Sequence, residues 1–239
     1  MNEVIEVKGK VVLAVCAHPD DLEFGCGGTI AKWAKAGASI YYLVVTDGSK
    51  GLEDNTVTDE ELTRTRRSEQ DQAAKILGVK KVFFLDYVDG ELVNSLEVRK
   101  DIVRVIRQVK PEIVFSLDPT NIYNAERGSI NHPDHRAVGQ ATLDAVFPFA
   151  RNSRTFPELL EEGLGLHYVK IVLLNNFGKA TFYVDISDTL DLKLKALCCH
   201  KSQTDDDPKI TKYMTQRATE NGQKIGVEYA EGFVRIDLD

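Results

Sequence analysis

The chain has 239 residues, 43% hydrophobic and 28% charged, with a formal charge of −7. That is enough apolar material for one large core. At about 150 residues per domain two small units would also fit, but no Pro-, Gly- or Ser-rich linker, low-complexity tract or internal repeat marks a boundary. Acids and bases are interspersed, which argues against a nucleic-acid partner. No apolar segment approaches the roughly 20 residues needed to span a bilayer, so a cytoplasmic protein without a membrane span is expected. The four cysteines (Cys16, Cys26, Cys198 and Cys199) form neither a disulfide framework nor paired Cys-x-x-Cys zinc sites.

In chain order, residues 11–17 form an apolar, β-branched run that predicts a buried strand. The polar cluster Ala17-His18-Pro19-Asp20-Asp21-Leu22-Glu23 closes that run, so it falls at the carboxyl end of the strand, where open parallel α/β sheets bind ligands. A helical turn starting at Pro19 sets His18 and Asp21 on one side and turns Asp20 elsewhere. Ile30, Trp33, Ala34 and Gly37 continue the helical spacing, and residues 39–46 alternate into a second strand. Thr58 and Glu61 make a capping box for a second helix that Gly78 stops. Its apolar stripe is Leu62, Ala73, Ile76 and Leu77, and Arg66 and Glu69 share that core-facing side. Either they form a buried pair, or Glu69 holds Arg66 toward substrate hydroxyls.

A third strand is expected over 81–85, a helix through Val98, Ile102, Val105, Ile106 and Val109, and a fourth strand over 112–117. A long loop, 118–131, then leads to Asn131-His132-Pro133-Asp134-His135 and a helix from His135 to about Phe149. The alternation predicts a Rossmann-like α/β fold. Its sheet is mostly parallel with helices on both faces, in a single domain whose first 150 residues are the doubly wound core and whose residues 151–239 complete it. Both polar clusters then share one sheet edge.

Histidine and carboxylate donors at that edge suit a divalent metal: zinc first, with Fe²⁺ or Co²⁺ accepted by the same set. His18 and Asp21 are two ligands, and His132 or His135 supplies the third, leaving the other for proton transfer or oxyanion stabilisation. Alone, the first cluster also reads as a polar turn in which Asp20 or Asp21 caps a helix. Nucleotide and nucleophile signatures fail: Gly25-Cys26-Gly27-Gly28-Thr29-Ile30 lacks the third glycine of Gly-x-Gly-x-x-Gly, and Gly48-Ser49-Lys50-Gly51 is one residue short of a nucleophile elbow. His167 is expected at a strand edge, His200 at the end of a helix over 190–199, and Asp205-Asp206-Asp207 in a solvated turn and helix start before Pro208.

Taken together, Ala-His-Pro-Asp-Asp-x-Glu, Gly27-Gly28-Thr29, Thr46-Asp47-Gly48, Arg66-x-x-Glu69, Leu77-Gly78-Val79 and Asn131-His132-Pro133-Asp134-His135 resemble the PIG-L/LmbE-like family of zinc-dependent N-acetylglucosaminyl deacetylases. The resemblance extends to Tyr183-Val184-Asp185-Ile186-Ser187, His200-Lys201-Ser202-Gln203 and Tyr229-Ala230-Glu231-Gly232-Phe233. It implies that His18, Asp21 and His135 bind zinc, that Asp20 is the general base, and that His132 stabilises the oxyanion or acts as acid. It further implies that Arg66 and Asp89 contact the sugar and that Asp134 orients a histidine. Some members carry a tyrosine where this chain has Ile130, which shifts carbonyl polarisation to zinc and His132, or to a group such as Tyr123.

The implied reaction removes the acetyl group from an N-acetylglucosamine-type amino sugar or conjugate, using water activated at the ion. The alternatives are hydrolysis of another amide on an amino-sugar conjugate, and a non-catalytic metal- or sugar-binding protein. Members act on thiol-cofactor precursors, glycolipid precursors and chitobiose-type sugars. With no membrane segment or basic surface stretch, a soluble glycoside is the expected partner. A homo-oligomer is compatible with the sequence.

Overall fold

The computed structural model describes residues 4–239 except Asn55, Glu126, Arg127, Phe177 and Asp206. Strand β1 (Val11–Cys16) leads into α1 (Asp21–Lys35), β2 (Ser39–Thr46), α2 (Asp59–Leu77), β3 (Lys81–Tyr87), α3 (Leu96–Val109) and β4 (Ile113–Leu117). A short hairpin, β5 (Tyr123–Asn124) and β6 (Ser129–Ile130), precedes α4 (Pro133–Val146), a 3₁₀ turn (Phe149–Arg151) and α5 (Pro157–Glu161). The chain ends with β7 (Ile171–Asn175), β8 (Phe182–Asp185), α6 (Leu190–Leu197), α7 (Lys201–Thr204), α8 (Pro208–Ile225) and β9 (Ala230–Asp237).

Seven strands form one sheet in the order β3-β2-β1-β4-β7-β9-β8. The first five pair in parallel, and β9 and β8 add antiparallel. Alternation along β1 divides the core: Val12, Ala14 and Cys16 pack with α1 and α2, while Leu13, Val15 and Ala17 pack with α3 and α4. The order reverses at β1, with β2 on one side and β4 on the other. That switch point opens a crevice at the carboxyl ends of β1 and β4.

The capping box forms as expected: Thr58 accepts from the Glu61 N–H, and Gly78 ends α2 at φ 78°. Three details differ from the sequence reading. Ile76 lies outside the inward stripe, 36% exposed, because Arg66, Glu69 and Gln70 occupy the buried face with Leu62, Ala73 and Leu77. The long connection after β4 holds a small antiparallel ladder, with Tyr123 opposite Ile130. Helix α4 begins at Pro133 with His132 as its N-cap and stops at Val146, before Pro148. Gly139 permits its position, since a Cβ there would run into the Leu117 carbonyl oxygen at the end of β4. Of the acidic run before Pro208, Asp206 lies outside the described residues, and Asp207 caps α8 by accepting from the Lys209 N–H.

The last third of the chain is tied to α1 by a buried ion pair. Lys193 Nζ donates to Glu231 Oε1 (2.5 Å) and to the Phe24 carbonyl (2.9 Å), and the Glu231 carboxylate accepts from the Gly28 and Thr29 N–H groups (3.0 and 2.7 Å). Removing one member of such a pair strands the other charge in the interior. Glu231→Ala is therefore expected to lower unfolding free energy by about 3–5 kcal/mol in urea titrations. A loss in the surface-pair range, about 1 kcal/mol or less, would contradict this role.

Candidate metal centre and active site

His18 and Asp21 leave the end of β1 together. The Asp21 Oδ2 accepts from the N–H groups of Ala17 (3.1 Å) and His18 (2.9 Å), which folds the segment back and holds the carboxylate beneath the His18 ring. Helix α4 brings His135 to the same point. His135 Nε2 lies 3.0 Å from Asp21 Oδ1 and 3.2 Å from His18 Nδ1, and His18 Nδ1 lies 3.6 Å from Asp21 Oδ2.

The outer nitrogens of both rings are engaged with acceptors. His18 Nε2 faces Asp89 Oδ1 (3.1 Å) and Asp134 Oδ2 (3.3 Å), and His135 Nδ1 faces Asn131 Oδ1 (3.1 Å). Asn131 is fixed in turn by donating Nδ2 to the Asn121 carbonyl (2.7 Å). Carboxylates and amide oxygens only accept, so the outer ring nitrogens carry the protons and the inner ones present lone pairs. Two imidazole lone pairs and a carboxylate then face one another with no donor between them. A tetrahedral ion with bonds of about 2.0–2.1 Å would separate its donors by about 3.3 Å, and the donor set fits such an ion. His18, His132 and His135 also offer nitrogens within 4.8 Å of one another, as do the donors of His18, Asp89, His132 and Asp134.

Charge supports the same fit. Without an ion, burial opposes a charge on His18, yet its bonds to Asp134 and Asp89 raise its pKa to about 10; the spot favours a cation, and a metal ion there would displace the Nδ1 proton and take up that lone pair. Burial acts against ionised Asp21, but the neighbouring His135 and His18 hold its carboxyl well below the usual range. For Asp20 burial prevails over the opposing Arg66 guanidinium, and its pKa rises to about 6. His132, 41% exposed at the side chain, is pushed down by burial and by His18, so it is neutral at neutral pH.

Asp20 departs from its neighbour. Its backbone takes φ 104°, ψ −30°, its side chain caps nothing, and its Oδ2 lies 3.4 Å from Arg66 NH2. Arg66 is itself held by the carbonyls of Pro19 (2.7 Å) and Gly48 (2.8 Å). Gly48, at φ 67°, leaves room for the guanidinium, which a Cβ would meet at 2.9 Å. The cavity at this edge has a volume of about 440 Å³ and is lined by His18, Asp20, Asp21, Arg66, Asp89, His132 and His135. Asp134 and Glu69 stand behind the wall.

Of the remaining sequence candidates, some keep their expected place and others do not. Glu69 does not pair with Arg66: its oxygens accept from the N–H (2.9 Å) and hydroxyl (2.6 Å) of Ser202 on α7. Asp89 lines the cavity, although it is largely buried and bonded to His18 Nε2 and the Lys50 N–H. Tyr123 lines a neighbouring cavity and does not border the one around His18. His200, expected to end a helix over 190–199, follows the end of α6 and is a fully buried ring 3.2 Å from Glu23 Oε2. His167 lies away from the site, against the Pro111 carbonyl. The sequence reading passed over Gln70, although its position one turn after Arg66 on the same stripe signals it.

The neighbouring cavity, about 760 Å³, shares Asn121, Asn131, His132, His135 and Tyr213 with the first and extends to Tyr123, Ile130 and Lys179. A family model described as GlcNAc-PI de-N-acetylase matches residues 13–146, the stretch that carries both clusters. The chain belongs to the PIG-L family. It is 40% identical to diacetylchitobiose deacetylase of Thermococcus kodakarensis, over 93% of this chain and 82% of that protein. A probable N-acetyl-alpha-D-glucosaminyl L-malate deacetylase 2 of Bacillus anthracis is 28% identical over 92% of this chain and 91% of its own. Among solved structures, N,N'-diacetylchitobiose deacetylase from Pyrococcus horikoshii in complex with its inhibitor MPG superposes with a TM-score of 0.88 at 38% identity, covering 95% of this chain and 84% of that one. The fold is that of the LmbE-like deacetylases, and relatives across the chain's length are deacetylases of N-acetylglucosamine-type compounds.

The partner assigned to Glu69 is open to test. Glu69→Ala and Ser202→Ala should each destabilise the protein by about 1–3 kcal/mol, and the double variant should lose less than their sum. Additive losses, or coupling of Glu69 to Arg66 instead, would contradict the bonding described.

Proposed function

We propose that this protein is a zinc-dependent N-deacetylase that removes the acetyl group from an N-acetylglucosamine unit of a short soluble glycoside such as diacetylchitobiose. The observation that carries the reading is the meeting of His18 Nδ1, Asp21 and His135 Nε2 within 3.6 Å, beside a separate carboxylate, Asp20, in the same cavity. The two adjoining cavities favour a substrate of two rings over a single sugar. The relatives' activities support the same class. The whole chain is read as one deacetylase domain, with β7, β8 and β9 completing the sheet.

His18, Asp21 and His135 would hold the ion. His132 is set aside from this trio because it caps α4 at the cavity mouth and is the most exposed of the three histidines. When bound, zinc lowers the pKa of water to about 7 and polarises a carbonyl. Fe²⁺ or Co²⁺ would fit the same donors. Asp20, left free of the trio, takes the proton from the attacking water and returns it to the leaving amine nitrogen. His132 stabilises the negative charge that develops on the acetyl oxygen, since the Ile130 side chain offers no donor for it. Asp89 and Asp134 fix the His18 ring and Asn131 fixes His135, an arrangement that sharpens ligand direction and basicity. Arg66 keeps Asp20 in place, and with Asp89 it lies on the cavity wall where a sugar hydroxyl would approach.

The two adjacent aspartates separate the roles. Asp20→Asn should retain the ion and lose about 10²–10⁴ in acetate release from N,N'-diacetylchitobiose, the usual scale of acid–base catalysis. Asp21→Ala should lose the ion, as read by metal content after dialysis. Exchange of these phenotypes, or parent activity in either variant, would refute the assignment.

A further inference from the structure

The backbone of Asp20 lies at φ 104°, a region that residues with a side chain rarely occupy and that persists only where the surroundings impose it. Arg66 secures the carboxylate from one side. On the other side the Asp20 N–H donates to Gln70 Oε1 (3.0 Å), Gln70 Nε2 donates to Glu23 Oε1 (3.1 Å), and Glu23 Oε2 faces His200 Nε2 (3.2 Å). Glu23, Gln70 and His200 are all fully buried, so water does not replace any of these bonds.

We propose that His200, Glu23 and Gln70 form a buried relay that positions Asp20 for proton transfer, a role that rests on the reading of Asp20 as the general base. The direction of each bond follows from the chemistry. An ionised carboxylate only accepts, so Glu23 fixes the Gln70 amide with its NH₂ toward the carboxylate and its oxygen toward the Asp20 N–H. Reversing the amide would set oxygen against carboxylate at one end and N–H against N–H at the other. His200 supplies the second donor that a buried carboxylate needs. It stands at the start of α7, which the Ser202 bonds to Glu69 fasten to α2 one residue before Gln70. The relay thus reaches Asp20 from the last third of the chain without touching His135, His132 or the cavity.

The test uses the full chain reconstituted with zinc and compares Gln70→Leu, His200→Leu and His200→Gln with the parent and with Asp20→Asn. The leucine variants should lose about 10- to 100-fold in kcat, the scale of an ångström-level misplacement, with KM and bound metal at parent levels. His200→Gln, which keeps a donor near the position of Nε2, should recover most of the loss. Parent turnover in the folded leucine variants, loss of metal in step with kcat, or a glutamine no better than leucine would overturn the relay. Failure of both leucine variants to fold would assign these residues to the fold and overturn it equally. If Asp20→Asn turns over like the parent, it is the reading of Asp20 that fails; if Asp20→Asn is inactive while the leucine variants are fully active, the relay alone fails.

Discussion

Two imidazole lone pairs and a carboxylate held within 3.6 Å of one another repel unless a cation lies among them. Around this trio stand three more carboxylates, those of Asp20, Asp89 and Asp134, and Arg66 lies against the first two. The fold keeps this arrangement because every outer contact is fixed elsewhere. Asp21 is tied to the backbone of Ala17 and His18, His18 to Asp89 and Asp134, and His135 to Asn131. A dication fits this centre better than a proton, since it satisfies three acceptors at once.

The sheet topology makes the meeting inevitable. Parallel strands β1 and β4 are neighbours in register, Val12 opposite Ile113, so the segments that leave their carboxyl ends emerge side by side. The helices α1 and α4 then lie on opposite faces, and the crevice between them stays open to a substrate. Helix α2 braces one wall through Arg66 and Gln70, and the hairpin of β5 and β6 forms the far rim of the adjoining cavity.

Much of this was legible in the sequence because it rests on local order. The apolar run over 11–17, the Thr58–Glu61 capping box and the alternation of strands and helices gave the parallel sheet, and the two His-Pro-Asp clusters marked the edge where the cavity lies. Spacing failed where a contact depends on chain distant in sequence. Arg66 and Glu69 sit three apart on one stripe, yet Glu69 bonds α7, 133 residues away, because α2 packs between the site and the chain's last third. His200 looked like a helix-end cation because its partner, Glu23, is 177 residues distant. The motifs Tyr183–Ser187 and Tyr229–Phe233 fall on β8 and β9 but did not announce that these strands add antiparallel, since edge pairing is set by tertiary packing.

The central claim is the place of the ion, and anomalous diffraction at the zinc edge from crystals grown with zinc tests it most directly. The account predicts one strong peak at bonding distance from His18 Nδ1, an Asp21 oxygen and His135 Nε2, with Asp20 and His132 unligated. A peak bound by His132 in place of Asp21, or one seated between Asp89 and Asp134, would contradict it.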